Sequence, residues 1–495
     1  MIALAALYAL ATAALVIQGL RLLSLAVGRM ATQPTPEAQA PGPPEAWPRV
    51  CVQLPVYNEP EVVERVVAAA AALDYPAMEI QVLDDSTDAT TERARRAVAR
   101  AQASGVRAEL VRRDGREGFK AGALANGLAR TDAPLVAVFD ADFIPAPGTL
   151  RRLVAPLVAD PALAFAQGRW GHINRDDSAL TRAQGALLDL HFSVEQVGRQ
   201  RLGRFVPFNG TAGVWRREVI ARAGGWSGRT LAEDLDLSLR AWAGGARGHV
   251  VEPLAVPAEL PTDLSAWRRQ QARWAEGMTG ATRLHARRLL GARQRLGARL
   301  WALLAISAPL AYPALLAMVL LHPVLAVLQA TGRGPSEAFF AALGVGWLGL
   351  AGAVVAQAVG QRATRDERPP HARGRTPADR NSAGLWRLAA DAALGLAAPL
   401  ALALVGTRAV ARGLALRRGT FERTPKGGLR ERAARGWGDA ALAAYAIAGA
   451  VALATVGAWL AFVFQAVFAA TLGAVAWAPT RRQRRPRLDA VAAGG

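Results

Sequence analysis

From residue 440 to residue 480 the chain carries no charged side chain. A helix crosses a hydrocarbon core with about 20 apolar residues, so this stretch has room for two membrane spans with a tight turn near Gly457. A buried core helix is a poor account of an apolar run this long. Met1–Leu20 is also uncharged and is followed by Arg21 and Arg29. A cleaved leader carries its positive charge ahead of the apolar run, so this one reads as a retained anchor with its C-terminal end facing the cytoplasm. Leu300–Gly332 and Ala338–Gly360 read as a membrane hairpin. Ala392–Thr407 has only sixteen uncharged residues, too few for a comfortable crossing and suited to an interfacial or re-entrant helix.

The charge balance follows the same plan. Lys and Arg number 59 against 39 Asp and Glu, a net +20. Residues 361–438 hold sixteen basic and six acidic side chains on both sides of the short segment. With that segment at the interface, five spans leave 30–298, 361–438 and the Arg-rich 481–487 all on the cytoplasmic side. The excess positive charge then reads mostly as topology, and no nucleic-acid recognition motif accompanies it. The expected layout is an anchor at 1–29, a Pro-rich linker at 30–48 and a soluble domain at 49–262. Amphipathic interface helices at 263–298 and a membrane hairpin at 299–360 follow. A basic region at 361–438, a second hairpin at 439–479 and a basic tail at 480–495 complete it. The single cysteine, Cys51, excludes a disulfide scaffold and a cysteine-held metal cluster. Only two lysines occur, Lys120 and Lys426, all other basic side chains being arginine. That usage is expected of a GC-rich bacterial genome, and two retained lysines mark places where a compact ammonium matters.

Within 49–262 short apolar runs alternate with helical stretches. Val50–Leu54, Ile80–Leu83, Ala108–Arg112 and Leu135–Phe139 read as strands, and Glu61–Ala72, Thr90–Ala103 and Ala121–Ala129 as the helices between them. That alternation predicts a mostly parallel α/β sheet, whose ligands bind beyond the carboxyl ends of its strands. The residues there are acidic and polar. Tyr57-Asn58-Glu59 follow the first strand, Asp84-Asp85 the second, and Asp140-Ala141-Asp142 the fourth. Carboxylates gathered on one rim repel unless a cation offsets them, and two Asp one residue apart offer oxygens to Mg²⁺ or Mn²⁺ bridging a diphosphate. Neither G-x-x-x-x-G-K-[ST] nor a G-x-G-x-x-G after the first strand is present, which disfavours nucleotide triphosphatase and dinucleotide chemistry. Further on, Phe208–Gly213 is a loop able to bring backbone close to a ligand. Ala232-Glu233-Asp234 precede a helix at Leu235–Ala243, where simple capping by Asp234 is the plain alternative. Trp267–Trp274 (W-R-R-Q-Q-A-R-W) begins an Arg-rich amphipathic stretch suited to a membrane interface.

Together these motifs resemble the membrane-integrated family 2 glycosyltransferases of the cellulose-synthase-like superfamily, and within it the glucomannan 4-β-mannosyltransferase-like group. The resemblance rests on L-P-V-Y-N-E (54–59), Q-V-L-D-D-S-T-D (81–88), F-K-A-G-A-L (119–124), F-D-A-D-F (139–143), L-D-L-H-F-S-V-E-Q (188–196), F-N-G-T-A-G-V-W-R (208–216), A-E-D-L-D (232–236) and Q-x-x-R-W (270–274). It implies a nucleotide-sugar-binding domain of the GT-A type inserted between transmembrane helices. It also implies an inverting transfer of a hexose from a nucleoside-diphosphate sugar (UDP-glucose or GDP-mannose) to a glycan. By the same resemblance, Tyr57, Glu59, Asp85 and Lys120 lie about the nucleotide, and Asp140 and Asp142 hold the metal and diphosphate. Arg273 reaches the diphosphate. Trp274, Asn209, Gly210 and Thr211 line the acceptor side, and Glu233 with Asp234 forms the catalytic pair, Asp234 acting as general base. Lys426, in Phe421-Glu422-Arg423-Thr424-Pro425-Lys426, resembles the lysine of a nucleotide-covering gating loop. Three departures stand out: Arg423 where the gating loop has valine, Gly168 within Gln167-Gly168-Arg169-Trp170, and Ala232 before Glu233-Asp234. A lipid acceptor is the enzymatic alternative. A transporter or scaffold is the non-enzymatic one, and the lack of charge inside the spans disfavours it. The expected setting is a multi-pass protein of a bacterial inner membrane with its soluble domain in the cytoplasm.

Overall fold

The computed structural model describes residues 1–34, 47–364, 377–415 and 437–477. Seven strands build the central sheet: β1 (Val50–Val56), β2 (Met78–Asp84), β3 (Ala108–Arg112), β4 (Leu135–Val138), β5 (Leu163–His172), β6 (Gly213–Arg216) and β7 (Arg247–Ala258). Their order is β3-β2-β1-β4-β6-β5-β7. The first four strands are parallel, whereas β6 runs antiparallel to both β4 and β5. The parallel core therefore matches the alternation in the sequence, but the sheet is mixed. The antiparallel strand falls partly where a loop is expected, because positive φ at Gly210 and Ala212 reverses the chain just before it.

Val50, Cys51, Val52 and Leu54 of β1 are fully buried, as a strand covered on both faces requires. Gln53 is the polar exception. Its Nε2 donates to Gln81 Oε1 at 3.0 Å, and Gln81 Nε2 donates on to Glu109 Oε1 at 2.9 Å, a polar ladder across β1, β2 and β3. The helix Phe119–Leu128 lies directly on this ladder at Gly127, where an added Cβ would stand 2.6 Å from Gln53 Nε2. That contact fixes the height of the helix that carries Lys120. Because β1 is flanked by β2 on one side and β4 on the other, the sheet has its topological switch point there, and a crevice opens beyond their carboxyl ends.

Four of the described helices are long and apolar enough to cross a membrane: Ile2–Ala31, Ala308–Ala330, Glu337–Ala363 and Gly438–Thr455. The apolar helix Trp459–Trp477 follows a turn at Gly457, whose φ is +72°. Trp386–Ala401 and Ala403–Ala415 meet at a 52° bend. The uncharged run 300–332 is not one helix. Leu296–Ile306 stops at Ser307, a 3₁₀ turn spans Ala308–Leu310, and Ala311–Ala330 continues. Pro309 has no N–H to extend the ladder. The first helix and Gly346–Ala363 touch backbone to backbone: a Cβ on Gly19 would lie 2.0 Å from Gly349 O, and one on Gly352 would lie 2.4 Å from Gly19 O. Small residues permit such close approach where lipid offers no hydrophobic driving force.

Several arginines also pair with acids distant in sequence. Arg268 Nη2 meets Asp439 Oδ1 at 2.6 Å, Arg412 Nε meets Glu276 at 2.7 Å, and Arg387 Nη2 meets Asp176 at 2.5 Å. The fully buried Asp391 takes Arg182 at 2.6 Å and Arg175 at 3.7 Å, while Arg175 also holds Asp189 at 2.6 Å. Arginines and acids thus pair across the seam between the sheet domain and the membrane helices.

Replacing Gly19 by alanine is expected to lower the melting temperature of the detergent-solubilised protein, since overpacking costs about 1–3 kcal/mol. Gly473→Ala, where an added Cβ meets nothing within 4 Å, should leave it unchanged.

Candidate active site

The crevice at the carboxyl ends of β1, β2 and β4 is organised around one ammonium. Lys120, in the first turn of the helix Phe119–Leu128, sets its Nζ 2.6 Å from Asp140 Oδ1 and 3.6 Å from Glu233 Oε1, and donates to Gly210 O at 2.8 Å. Three acceptors lying around one nitrogen suit a lysine, whose donors radiate from a point, better than the planar fork of arginine. Burial works against the charge on Lys120, but Asp140, Glu233 and Asp234 outweigh it and raise its pKa, so the ammonium persists.

Asp234 occupies the first turn of the helix Glu233–Ala243. It is not the N-cap that the capping reading requires: Ala232 holds that place and makes no side-chain capping bond. Asp234 Oδ1 accepts from Leu235 N at 2.7 Å. Burial pushes its carboxyl up and Glu233 adds to the effect, while Lys120 pulls it back, leaving a pKa of about 7. Lower on the same helix, the buried Asp236 takes Arg240 at 2.6 Å and His285 at 2.7 Å. The motif's second aspartate is therefore a brace that ties this helix to the long helix Leu264–Leu290.

That long helix is capped by Asp263, whose side chain accepts from Ser265 N and Ala266 N, and it packs against the Asp234 turn through Gly277. A Cβ there would stand 2.8 Å from Ala232 N. Arg273 consequently faces the acidic rim. Burial lowers its pKa, opposed by Glu233, Asp140, Glu59 and Asp142, so these four carboxylates and Arg273 share one electrostatic neighbourhood. The next residue, Trp274, meets Trp170 with ring centroids 5.8 Å apart, and Trp170 continues to Phe192 at 5.2 Å and Phe143 at 5.6 Å. Trp170 closes the Gln167-Gly168-Arg169-Trp170 motif, and its partnership with Trp274 gives the crevice an aromatic wall.

The loop before β6 joins these parts. Gly210 (φ +84°) supplies the carbonyl that takes Lys120. A Cβ there would come within 2.9 Å of Asp234 Oδ2, so glycine is required by both conformation and space. Asn209 N donates to Gln167 Oε1 at 3.0 Å. Thr211, expected on the acceptor side, is fully buried instead. Its Oγ1 accepts from Asp140 N at 2.8 Å, a position behind the Asp140–Asp142 turn rather than in the crevice.

Tyr57 and Asp85 lie on the far side. The Arg113 guanidinium grips Asp85 with two bonds, 2.8 Å to Oδ1 and 2.6 Å to Oδ2. Arg116 stacks 3.3 Å above the Tyr57 ring. Both arginines lie just beyond β3, so the end of the third strand belongs to the rim as the ends of the first, second and fourth do, and that place is their signal in the sequence. Lys426 lies outside the described residues. Among those residues no cluster of three or more His, Cys, Asp or Glu is placed to hold a metal ion. Asp140 and Asp142 nonetheless suit a hard divalent cation: they are two carboxylates at a strand end, one of them a third exposed, and a diphosphate would complete the oxygen set.

The family model described as glycosyltransferase-like family 2 matches residues 48–277. A probable glucomannan 4-beta-mannosyltransferase 6 of Oryza sativa subsp. japonica is 45% identical over 238 residues, 47% of this chain and 42% of that protein. The Arabidopsis thaliana glucomannan 4-beta-mannosyltransferase 7 is 41% identical over 251 residues, 50% of this chain and 45% of that protein. The chain thus spans less than half the length of these curated relatives. Among solved structures, a mannosyltransferase from Pyrobaculum calidifontis in complex with GDP-Man and Mn²⁺ superposes with a TM-score of 0.51 at 23% identity. The match covers 71% of this chain and 98% of that one, and supports the fold.

Because the folded state raises the Asp234 pKa above its ordinary value, it binds more protons than the unfolded chain between about pH 4 and 7. Stability therefore falls as pH rises through that window. Asp234→Asn is expected to raise the melting temperature relative to the parent protein at pH 8 and to lose that advantage near pH 4, as read by thermal unfolding in detergent.

Proposed function

Starting from residues 48–277 as a family 2 glycosyltransferase domain, we propose that the protein transfers a hexose from a nucleoside-diphosphate sugar to a glycan acceptor at the membrane, with inversion at the anomeric carbon. The observation that carries this reading is the juxtaposition of Asp234, buried and shifted to about 7, with Lys120 and the Asp140–Asp142 turn. A base poised near neutrality takes the proton from the acceptor hydroxyl. The oxygen so released bonds to the anomeric carbon as the bond to the diphosphate breaks, and the nucleoside diphosphate departs with the electron pair. Negative charge then grows on the leaving group, and Lys120 and Arg273 are the cations held beside it. When bound by Asp140 and Asp142, Mg²⁺ or Mn²⁺ supplies further positive charge to the diphosphate. Tyr57, Glu59 and Asp85 flank the nucleoside, with Arg113 fixing the Asp85 carboxylate. Lys426 is assigned to the diphosphate on the motif it sits in.

The wall made by Trp274, Trp170 and Phe192 favours a sugar chain as acceptor, since aromatic faces stack on pyranose rings. The names of the plant relatives favour β-1,4-linked mannosyl transfer, hence GDP-mannose ahead of UDP-glucose as donor. Repeated transfer builds a polymer beside the membrane helices. Arg21 and Arg29 at the end of the first helix favour a cytoplasmic position for the sheet domain.

The test is incubation of the reconstituted protein with a panel of GDP- and UDP-sugars and Mg²⁺ or Mn²⁺, with products digested by linkage-specific hydrolases. A β-mannan or glucomannan product is expected. No transfer from any donor would overturn the reading, and product confined to glycolipid would turn it towards a lipid acceptor. Asp234→Asn should lower kcat by roughly 10²–10⁴-fold while donor affinity stays within a few-fold. In the parent protein kcat/KM should decline as pH falls below about 7, the Asp234 pKa.

A further inference from the structure

A row of side chains leads from the first membrane helix to the loop beside Asp234. Arg21, buried in that helix, sets Nη2 2.5 Å from Glu195 Oε1. Glu195 Oε2 lies 3.0 Å from His191 Nδ1, and His191 Nε2 lies 3.1 Å from Asn209 Oδ1. Arg29 Nη1 donates to Ser193 O at 2.6 Å on the same segment. His191, Ser193 and Glu195 lie on a π-helical stretch, Leu190–Gln196, a form of helix that concentrates at functional sites.

Geometry fixes the direction of the bonds at Asn209. Gln196 donates through Nε2 to Pro207 O at 3.1 Å, a carbonyl that can only accept, and the same Nε2 lies 2.9 Å from Asn209. The Asn209 atom facing both Gln196 and His191 is therefore its oxygen, and His191 Nε2 donates to it. On the other side of the ring, burial would raise the Glu195 carboxyl, but Arg21, Arg199 and His191 hold it well below the usual range. Glu195 is thus a carboxylate facing His191 Nδ1. Held from two sides, the Asn209 carboxamide turns its Nδ2 away, and that atom is buried with no protein partner. A buried donor left unpartnered beside the loop of Gly210 is a group that a bound sugar hydroxyl would satisfy once the loop admits it. His191 also contacts Phe192 edge to face at 5.0 Å, and Phe192 packs on Trp170, which puts the row on the aromatic, acceptor side of the crevice.

We infer that Arg21, Glu195 and His191 are positioning residues that orient Asn209 toward the acceptor sugar, so that the first membrane helix is a working part of the acceptor site. The inference rests on the glycosyl-transfer reading above. In vesicles, three quantities separate the two: acceptor KM, donor KM, and acceptor-independent release of nucleoside diphosphate. Arg21→Gln is expected to raise acceptor KM about tenfold, equivalent to about 1.4 kcal/mol, with donor KM and acceptor-independent release within twofold of the parent. Arg21→Lys, which keeps the charge against Glu195, should recover most of the loss. His191→Phe, which keeps a ring but cannot hydrogen-bond, should show the same acceptor-selective defect. An unchanged acceptor KM in both Arg21→Gln and His191→Phe, or an equal fall in donor and acceptor parameters together with a lower melting temperature, would overturn the assignment. Absence of transfer by the parent protein itself would count against the glycosyltransferase reading instead.

Discussion

The Lys120 ammonium is the interaction on which the rest of the crevice depends. Asp140, Glu233 and Asp234 converge from two different elements, and without a central cation they would repel one another in a poorly solvated space. Lys120 offsets that repulsion, and its bond to the Gly210 carbonyl brings the loop before β6 into the same knot. One helix, one strand end, one helix N-terminus and one loop are thus registered on a single nitrogen. That helix is in turn seated by Gly127 against the Gln53–Gln81 ladder, so the position of the ammonium is set from inside the sheet.

The same arrangement accounts for the difference between two neighbouring carboxylates. Asp236 is buried more deeply than Asp234, yet Arg240 and His285 hold its carboxyl below the usual range, against the effect of burial. Asp234 has Glu233 beside it, and against that only a backbone N–H and Lys120, shared with two other acids, stabilise its charge. One aspartate becomes a fixed strut and the other a group that exchanges a proton near neutral pH. Two residues apart on one helix, they differ by the company they keep.

Much of this was legible in the sequence. The parallel core, the rim residues after β1, β2 and β4, and the Asp234 helix follow from periodicity and from where ligands bind in open α/β sheets. Lys120 was marked by composition alone, as one of two lysines among many arginines. What escaped has a physical reason. β6 has four residues and lies past a reversal made by positive φ at Gly210 and Ala212, so no periodic pattern announces it. Thr211 carries a side chain typical of a ligand contact, and only three-dimensional packing turns its hydroxyl toward the Asp140 backbone. The basic residues were read from counts along the chain. A count cannot see that Arg268, Arg387 and Arg412 each find an acid distant in sequence.

Those cross-seam pairs bear on how the chain could ever be divided. A fragment ending near residue 277 would retain Arg175, Arg182, Asp176 and Glu276 but lose Asp391, Arg387 and Arg412. It would therefore leave Arg182, Asp176 and Glu276 without the partners that hold them in the whole chain. The sheet domain and the apolar helices packed on it are thus held as one body by charges contributed from both sides.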